Sequence, residues 1–167
     1  MLERFYPKEY VDSTYQIPYE ELYGKGIRGV IFDVDNTLVP HGLPADERAL
    51  ALFERLKRTG MDTCLLSNNK EPRVASFAAE VGSKYIYKAG KPSVRNYIKA
   101  MELMHTDQSS TLFVGDQLFT DVYGANRAGI YSILVKPIHP KEEIQIVLKR
   151  YLEAIVLYFY KKRDGRV

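Results

Sequence analysis

Two aspartates one residue apart close an apolar run near the start of the sequence. The run is GVIFDV at 29–34, and the two carboxylates are Asp33 and Asp35. A carboxylate is costly to bury unless it is paired, hydrogen-bonded or bound to a metal. Because two carboxylates this close also repel each other, a cation is the usual remedy. The stretch therefore indicates an acidic site that needs positive charge nearby.

More polar groups follow three later apolar runs: Ser67 and Asn68, then Lys91, then Asp116 and Asp121. Several carboxylates without a His or Cys cluster favour a hard cation, and Mg²⁺ suits them better than Zn²⁺. A lysine, a serine hydroxyl and helix N-termini suit an anion beside that ion. Together these groups indicate phosphoryl transfer to a carboxylate nucleophile.

Apolar runs that alternate with amphipathic segments must position these groups. The runs predict five strands, at 29–34, 61–67, 84–87, 111–115 and 130–135. Between them the spacing predicts four helices: one that stops at Gly60, one from near Pro72 to Gly82, one with Pro92 as its first residue, and one over 118–128. This alternation predicts an α/β fold with a doubly wound, Rossmann-like parallel sheet. Ligands bind at the carboxyl ends of such strands, so all the polar groups should meet at one edge.

The two ends of the chain lie outside this alternation. Residues 1–27 are rich in tyrosine and broken by proline and glycine, which predicts an irregular arm with one short helix. The core is predicted over 28–136 and a C-terminal helix over 140–163, within a single domain of residues 1–167. Glu142 and Glu143 in its first turn, and basic residues in its last, suit the helix dipole. Residues 155–160 are apolar on all sides, so the arm, a second subunit or a lipid surface is expected to cover them.

Composition sets the class of protein. The chain has 167 residues, a formal charge of +3 and one cysteine, Cys64, so no internal disulfide is possible. The charge is too small to argue for nucleic acid. No apolar run reaches the ~20 residues of a membrane-spanning helix, and the N-terminus does not read as a signal peptide. We expect a cytoplasmic protein. Its C-terminal helix could contact the inner face of the membrane, or it could pack against a second subunit in a homodimer.

In order and context, the polar groups resemble the four motifs of the haloacid dehalogenase-like (HAD) phosphohydrolases. The matching residues are Asp33-x-Asp35-Asn36-Thr37, Ser67, Lys91, and Gly115-Asp116 through Asp121. The resemblance implies that Asp33 is the nucleophile that becomes an aspartyl-phosphate. It implies that Asp35 protonates the leaving group and then activates water.

The same resemblance implies ligands for the phosphate and the metal. Ser67 and Lys91 would bind the phosphate, and Asn68 is a further candidate for that contact. Asp116 would ligate Mg²⁺ together with Asp33 and the backbone carbonyl of Asp35, while Asp121 would support the metal directly or through water. Read singly, Asp116 and Asp121 could instead cap the helix that follows, and Ser67 and Lys91 could be ordinary loop residues.

The spacing of the motifs leaves no room for an inserted cap domain. Ser67 follows Asp33 by 34 residues and Lys91 follows Ser67 by 24, which the predicted helices and strands consume. The chain is thus most similar to the capless IIIA phosphatases of bacteria. An arm containing Pro7 and Tyr10 is also similar to mitochondrial phosphatidylglycerophosphate phosphatases, which implies that lipid as substrate. The alternatives are a soluble sugar or nucleotide phosphate, or a non-catalytic module associated with RNA or the ribosome.

Overall fold

The structure is a computed structural model that describes residues 1–139 and 144–165. Its centre is a parallel sheet of six strands: β1 (Glu9–Val11), β2 (Gly29–Phe32), β3 (Asp62–Leu66), β4 (Lys84–Ile86), β5 (Thr111–Gly115) and β6 (Tyr131–Val135), in the order β1-β6-β5-β2-β3-β4. From β2 the chain builds outward through β3 to β4, then crosses back to β5 on the other side of β2. The strand order therefore reverses between β2 and β5, which is where open α/β sheets bind ligands.

Helices cover both faces of the sheet. They are α1 (Tyr19–Gly24), α2 (Glu47–Thr59), α3 (Glu71–Val81), α4 (Val94–Met104) and α5 (Tyr123–Arg127). Alternate strand residues separate two cores: Phe32 and Val114 pack with α1, α2 and α3, whereas Ile31 and Phe113 pack with α4 and α5. This confirms the doubly wound α/β fold. The links 33–46 and 67–70 after β2 and β3 hold no further helix and no inserted domain.

The sheet has one strand more than the five predicted. The additional strand is β1, which lies in the tyrosine-rich arm and pairs in parallel with β6, Glu9 opposite Ile133 and Val11 opposite Val135. Two short 3₁₀ turns, Leu2–Phe5 and Thr14–Gln16, flank β1 before α1 begins. The arm is thus part of the sheet as well as a cover for it.

One predicted helix begins later than expected, and another differs in type over its first turn. The helix expected from Pro92 begins at Val94, because Lys91 first turns toward the site and donates its N–H to the Asn68 side chain. The helix expected over 118–128 begins instead as a π-helical turn, Leu118–Val122, followed by α5. Such turns occur frequently at functional sites.

The C-terminal helix α6 (Ile144–Arg163) has one covered and one exposed face. Val156 packs with Leu118 and Leu134, and the Tyr160 ring lies 5.4 Å from that of Tyr6 in the arm. The opposite face exposes six apolar or aromatic side chains, each between 45% and 72% accessible: Leu148, Tyr151, Leu152, Ile155, Tyr158 and Phe159. The arm, β6 and the turn that starts at Leu118 therefore cover one face of this helix and leave the other exposed. The roles predicted for Glu142 and Glu143 lie outside the described residues.

No helix in the described ranges combines the length and the apolar character that crossing a bilayer requires.

Candidate active site

Three buried carboxylates meet where β2 and β5 end. Asp33 follows β2, Asp116 follows β5, and Asp121 lies in the π-helical turn; one oxygen of each lies within 4.8 Å of the others. Thr37 ties the first two together, since its hydroxyl lies 3.3 Å from Asp33 Oδ2 and from Asp116 Oδ1. The apolar strands bring the carboxylates here because parallel strands place their carboxyl ends at one edge.

Lys91 supplies a buried positive charge to this cluster. Its side chain is only 3% exposed, and Nζ donates to Asp33 Oδ1 at 2.8 Å and to Asp121 Oδ1 at 2.6 Å. Burial alone would lower the pKa of Lys91, but the charges of Asp121 and Asp33 raise it above its ordinary value, so the ammonium stays charged. Asn68 fixes the loop behind it by accepting the Lys91 N–H at 2.8 Å.

The loop after β5 is wrapped around Asp121. Asp121 Oδ2 accepts the backbone N–H groups of Asp116 and Gln117 at 3.2 and 3.1 Å. Gly115 makes this possible, because a Cβ there would lie 2.5 Å from Asp121 Oδ2. From the other side, the Tyr97 hydroxyl lies 3.0 Å from the Asp121 carbonyl. Asp121 is thus held by several donors at once, which suits a residue that orients the site.

The cluster holds more negative than positive charge. Four acidic groups, Asp33, Asp116, Asp121 and Glu153, share two cations, Lys91 and Arg150. Burial, and next the charge of Asp33, raise the pKa of Asp121 to about 6 and that of Asp116 well above its ordinary value. A divalent cation would relieve this excess, and a set of carboxylate oxygens is the kind of ligand set that hard cations prefer. The residues present therefore fit a metal site.

Asp35 lies beside the cluster but takes no part in it through its side chain. Asp35 Oδ1 accepts from Gly42 N–H at 2.8 Å and from Arg73 Nη2 at 3.0 Å, and Asn69 Nδ2 lies 3.3 Å from Oδ2. Burial favours a raised pKa, but the Gly42 hydrogen bond and the Arg73 charge outweigh it and lower the pKa of Asp35. In this environment Asp35 is ionised, the form that accepts a proton from water. That its backbone carbonyl binds a metal stays a prediction.

Ser67 occupies the end of β3, on the side of β2 away from Asp116. It is buried, and its Oγ accepts the Asn69 N–H at 3.1 Å. In the described part of the chain no hydrogen bond joins it to the carboxylates. Of the predicted site residues, the side chains in direct contact with one another are therefore those of Asp33, Lys91, Asp116 and Asp121. That Ser67 and Asn68 contact the phosphate stays a prediction.

Two residues in contact with the carboxylate cluster were not predicted, and both come from α6. Arg150 Nη2 lies 2.6 Å from Asp116 Oδ2, and its Nη1 donates to the Asp116 carbonyl at 2.6 Å. Glu153 accepts from Arg150 Nη1 at 2.9 Å and from the Leu118 N–H at 2.9 Å. The one signal was an acidic residue inside the apolar run YLEAIV, three positions after an arginine. The C-terminal helix is thus part of the acidic site.

Replacing Arg150 with glutamine is expected to make folding depend more strongly on a divalent cation. The change leaves the 1% exposed Asp116 side chain and the 6% exposed Glu153 side chain without their arginine. Breaking such a pair costs about 3–5 kcal/mol, or about 6–20 °C in melting temperature. The measurement is thermal unfolding in EDTA and in a Mg²⁺ titration; the Mg²⁺-induced rise should exceed that of the parent.

Arg163→Gln is the matched control on the same helix, because Arg163 is exposed and pairs only with Asp164 and the ring of Tyr6 among the described residues. It should melt within about 2 °C of the parent. Equal melting temperatures of the two variants, or a Mg²⁺-induced rise that is smaller in Arg150→Gln than in the parent, would contradict the role given to Arg150.

Two curated proteins are similar to this chain over most of its length. It is 36% identical over 165 residues to "Probable phosphatase YqeG" of Bacillus subtilis (strain 168), covering 98% of this chain and 96% of that protein. It is 30% identical over 168 residues to phosphatidylglycerophosphate phosphatase 1, chloroplastic/mitochondrial, of Arabidopsis thaliana. That alignment covers 90% of this chain, which spans about half of the plant protein, 47%.

A family model and a solved structure agree with these similarities. Residues 88–143 match the model described as HAD-hydrolase-like. The cobalt-bound deoxy-D-mannose-octulosonate 8-phosphate phosphatase (YrbI) of Haemophilus influenzae superposes with a TM-score of 0.54 at 16% identity, covering 83% of this chain and 91% of that one. At this identity the superposition supports the fold alone.

Proposed function

The chain belongs to the capless haloacid dehalogenase-like phosphatases and is a hydrolase of phosphate monoesters, and from this premise we propose that it works through an aspartyl-phosphate on Asp33 with Mg²⁺ beside it. One observation carries the proposal: Asp33 lies at the end of the central strand β2, buried, hydrogen-bonded to Lys91 and clustered with Asp116 and Asp121. A carboxylate held in this way can act as a nucleophile whose charge is balanced.

In the first step a carboxylate oxygen of Asp33 attacks phosphorus, and the bond from phosphorus to the alcohol oxygen breaks. Asp35 is ionised without substrate, and the negative charge of the incoming phosphate raises its pKa, so that Asp35 takes up a proton. It gives that proton to the alcohol oxygen, so the alcohol leaves neutral. In the second step Asp35 takes a proton from the water that attacks the phosphoaspartate, which releases inorganic phosphate and restores Asp33.

The other residues hold the phosphoryl group and neutralise its charge. Lys91 and Ser67 bind the phosphoryl oxygens, with Asn68 holding the Lys91 loop in place. Mg²⁺, bound by Asp33, Asp116 and the Asp35 carbonyl and supported by Asp121, would supply further positive charge to those oxygens.

The substrate that we propose is phosphatidylglycerophosphate. The similarity to the Arabidopsis enzyme supports it, and so does the absence of a cap in residues 1–139, because an open site can reach a phosphate presented on a membrane. The exposed face of α6 adds a contact of suitable chemistry. Its apolar and aromatic side chains, followed by Lys161, Lys162 and Arg163, fit an interfacial helix on an anionic bilayer.

The test is phosphate release from vesicles that carry phosphatidylglycerophosphate, compared with soluble sugar and nucleotide phosphates, each with Mg²⁺ and with EDTA. We expect Mg²⁺-dependent release that favours the vesicles. Preference for a soluble ester would keep the mechanism and reject the lipid. No release from any substrate would reject the proposed mechanism and favour a non-catalytic module, whose RNA binding should fall steeply with salt.

The same assay tests α6 through a matched pair of exposed isoleucines. Ile155 on α6 is 55% exposed and Ile98 on α4 is 45% exposed. Ile155→Glu should lower both vesicle binding and lipid turnover by about tenfold, since it removes an apolar contact with the bilayer, whereas Ile98→Glu should change neither. Loss of dimer on size-exclusion chromatography with light scattering, without loss of vesicle binding, would instead assign this face to a second subunit.

A further inference from the structure

The groups around Asp35 define the side of the site on which the leaving alcohol lies. In the proposed mechanism, Asp35 gives its proton to the oxygen of that alcohol, so the alcohol must lie against the Asp35 side chain. Arg73, at 3.0 Å from Asp35 Oδ1, and the ring of His41, at 3.9 Å from the same oxygen, border this space. The leaving alcohol is therefore placed next to a guanidinium and an imidazole.

The Arg73 side chain is largely buried, and most of its N–H donors have no acceptor among the described residues. Its side chain is 17% exposed, and the guanidinium carbon lies 5.5 Å from the centroid of the buried Phe77 ring. A guanidinium has five N–H donors, and the described residues offer this one a single acceptor, Asp35 Oδ1. Its Nε is buried and lacks a hydrogen-bond partner. That Nε is out of reach of a ligand, but the other donors that Asp35 does not take belong to a partly exposed guanidinium and point to a ligand.

We propose that Arg73, together with His41, binds a second phosphate carried by the leaving alcohol. The preferred substrate is then a phosphomonoester whose alcohol already bears a phosphate a few bonds away, and the hydrolysed phosphate lies at Asp33. This inference deepens the proposed function and rests on it. A guanidinium is the side chain best suited to a phosphate, because its planar donors match two phosphate oxygens at once.

Two kinds of molecule present this chemistry. A lipid phosphodiester presents it at the surface of a bilayer, and phosphatidylglycerophosphate is of that kind. A soluble bisphosphate presents it free in solution. The subsite would recognise the second phosphate in both, so the relative turnover of the two by the parent enzyme identifies the source.

The experiment compares the turnover of three substrates by the 167-residue chain in the presence of Mg²⁺. They are glycerol 3-phosphate, whose leaving group is uncharged, glycerol 1,3-bisphosphate, and phosphatidylglycerophosphate in neutral detergent micelles. The variants are Arg73→Gln, which removes the charge, and Arg73→Lys, which keeps it. Arg48→Gln is the control, because Arg48 is exposed on α2 and pairs with Asp46.

We expect the parent to prefer either doubly phosphorylated substrate to glycerol 3-phosphate in kcat/KM. Arg73→Gln should reduce that ratio by about 10- to 100-fold, mainly through KM, which is the effect of one charge-assisted contact. Arg73→Lys should restore part of the ratio, and Arg48→Gln should leave it at the parental value.

Two results would overturn the proposal. The first is an equal loss of kcat/KM on all three substrates in Arg73→Gln, because Arg73 would then only position Asp35. The second is a parent enzyme with no preference for a second phosphate. Failure of the proposed function has another signature, since the parent would then release phosphate from none of the three.

Discussion

Replacing Asp33 with asparagine is expected to abolish phosphate release, lowering kcat by at least about a thousandfold, because the amide cannot form the aspartyl-phosphate. The fold should survive. The change removes one negative charge from a cluster that holds too many, while Lys91 keeps its contact with Asp121 at 2.6 Å. The melting temperature in EDTA should therefore equal or exceed that of the parent. Phosphate release and thermal unfolding, measured on the same preparation, check both expectations.

Asp12→Asn is the matched control, since Asp12 is 66% exposed and, among the described residues, pairs only with the surface residue Lys136. It should retain parental activity. An Asp33→Ala variant guards against slow conversion of the introduced asparagine to aspartate. Turnover above a few per cent in both Asp33 variants would rule out the covalent mechanism.

Replacing Lys91 with methionine is expected to damage activity and stability together. Lys91 is the buried cation that joins Asp33 to Asp121, so its loss leaves buried carboxylates unpaired. Removing one partner of a buried ion pair costs about 3–5 kcal/mol in the free energy of unfolding. Loss of a charge that stabilises the phosphoryl group should lower kcat by about 10²–10⁴-fold. Urea unfolding and phosphate release measure the two effects.

The stability cost should depend on pH with a definite sign. The pKa of Asp121 is about 6 with Lys91 present, and it rises further when that charge is removed. Because a carboxyl in the unfolded chain titrates near about 4, the folded variant binds more protons than the unfolded one above that pH. Stability is then full below about pH 4 and is lost as the pH rises through the folded pKa. The deficit relative to the parent in EDTA should be larger at pH 8 than at pH 5.

Lys84→Met provides the comparison for an exposed pair, since Lys84 and its partner Asp62 are about 40% exposed. It should cost at most about 1 kcal/mol, with little dependence on pH. A deficit for Lys91→Met that stays constant or shrinks as the pH rises would contradict the electrostatic account of the cluster.

The parts of the structure that sequence patterns predicted are those encoded locally. Continuous apolar runs identify buried parallel strands, and Gly60 and Gly82 end helices because both adopt the left-handed conformation, φ 97° and φ 69°. Since parallel strands share the edge at which they end, the convergence of Asp33 and Asp116 followed from the fold class. No contact had to be known for that step.

The parts that the patterns missed depend on pairings distant in sequence. Strand β1 has only three residues, in the tyrosine-rich arm, which is too short to show a strand pattern. It forms because it pairs with β6, more than a hundred residues later. Arg150 reaches Asp116 across 34 positions, and periodicity in a helix does not report which acid its arginine will meet. Arg73 was missed for the same reason, since its contact with Asp35 spans 38 positions.

Strand β1 also bears on how the protein behaves at high concentration. Strand β6 is apolar and almost entirely buried, so without β1 it would present a row of free backbone donors and acceptors to other molecules. The short β1 pairs with these backbone groups. The outer edge of β1 is a poor site for pairing with another molecule, because β1 has only three residues and follows Pro7 and Lys8. A chain trimmed to the predicted core of 28–136 would lose β1, which would expose the edge of β6 and favour strand exchange and aggregation. The arm is thus a solubility element, and fusions or truncations at the N-terminus should leave it intact.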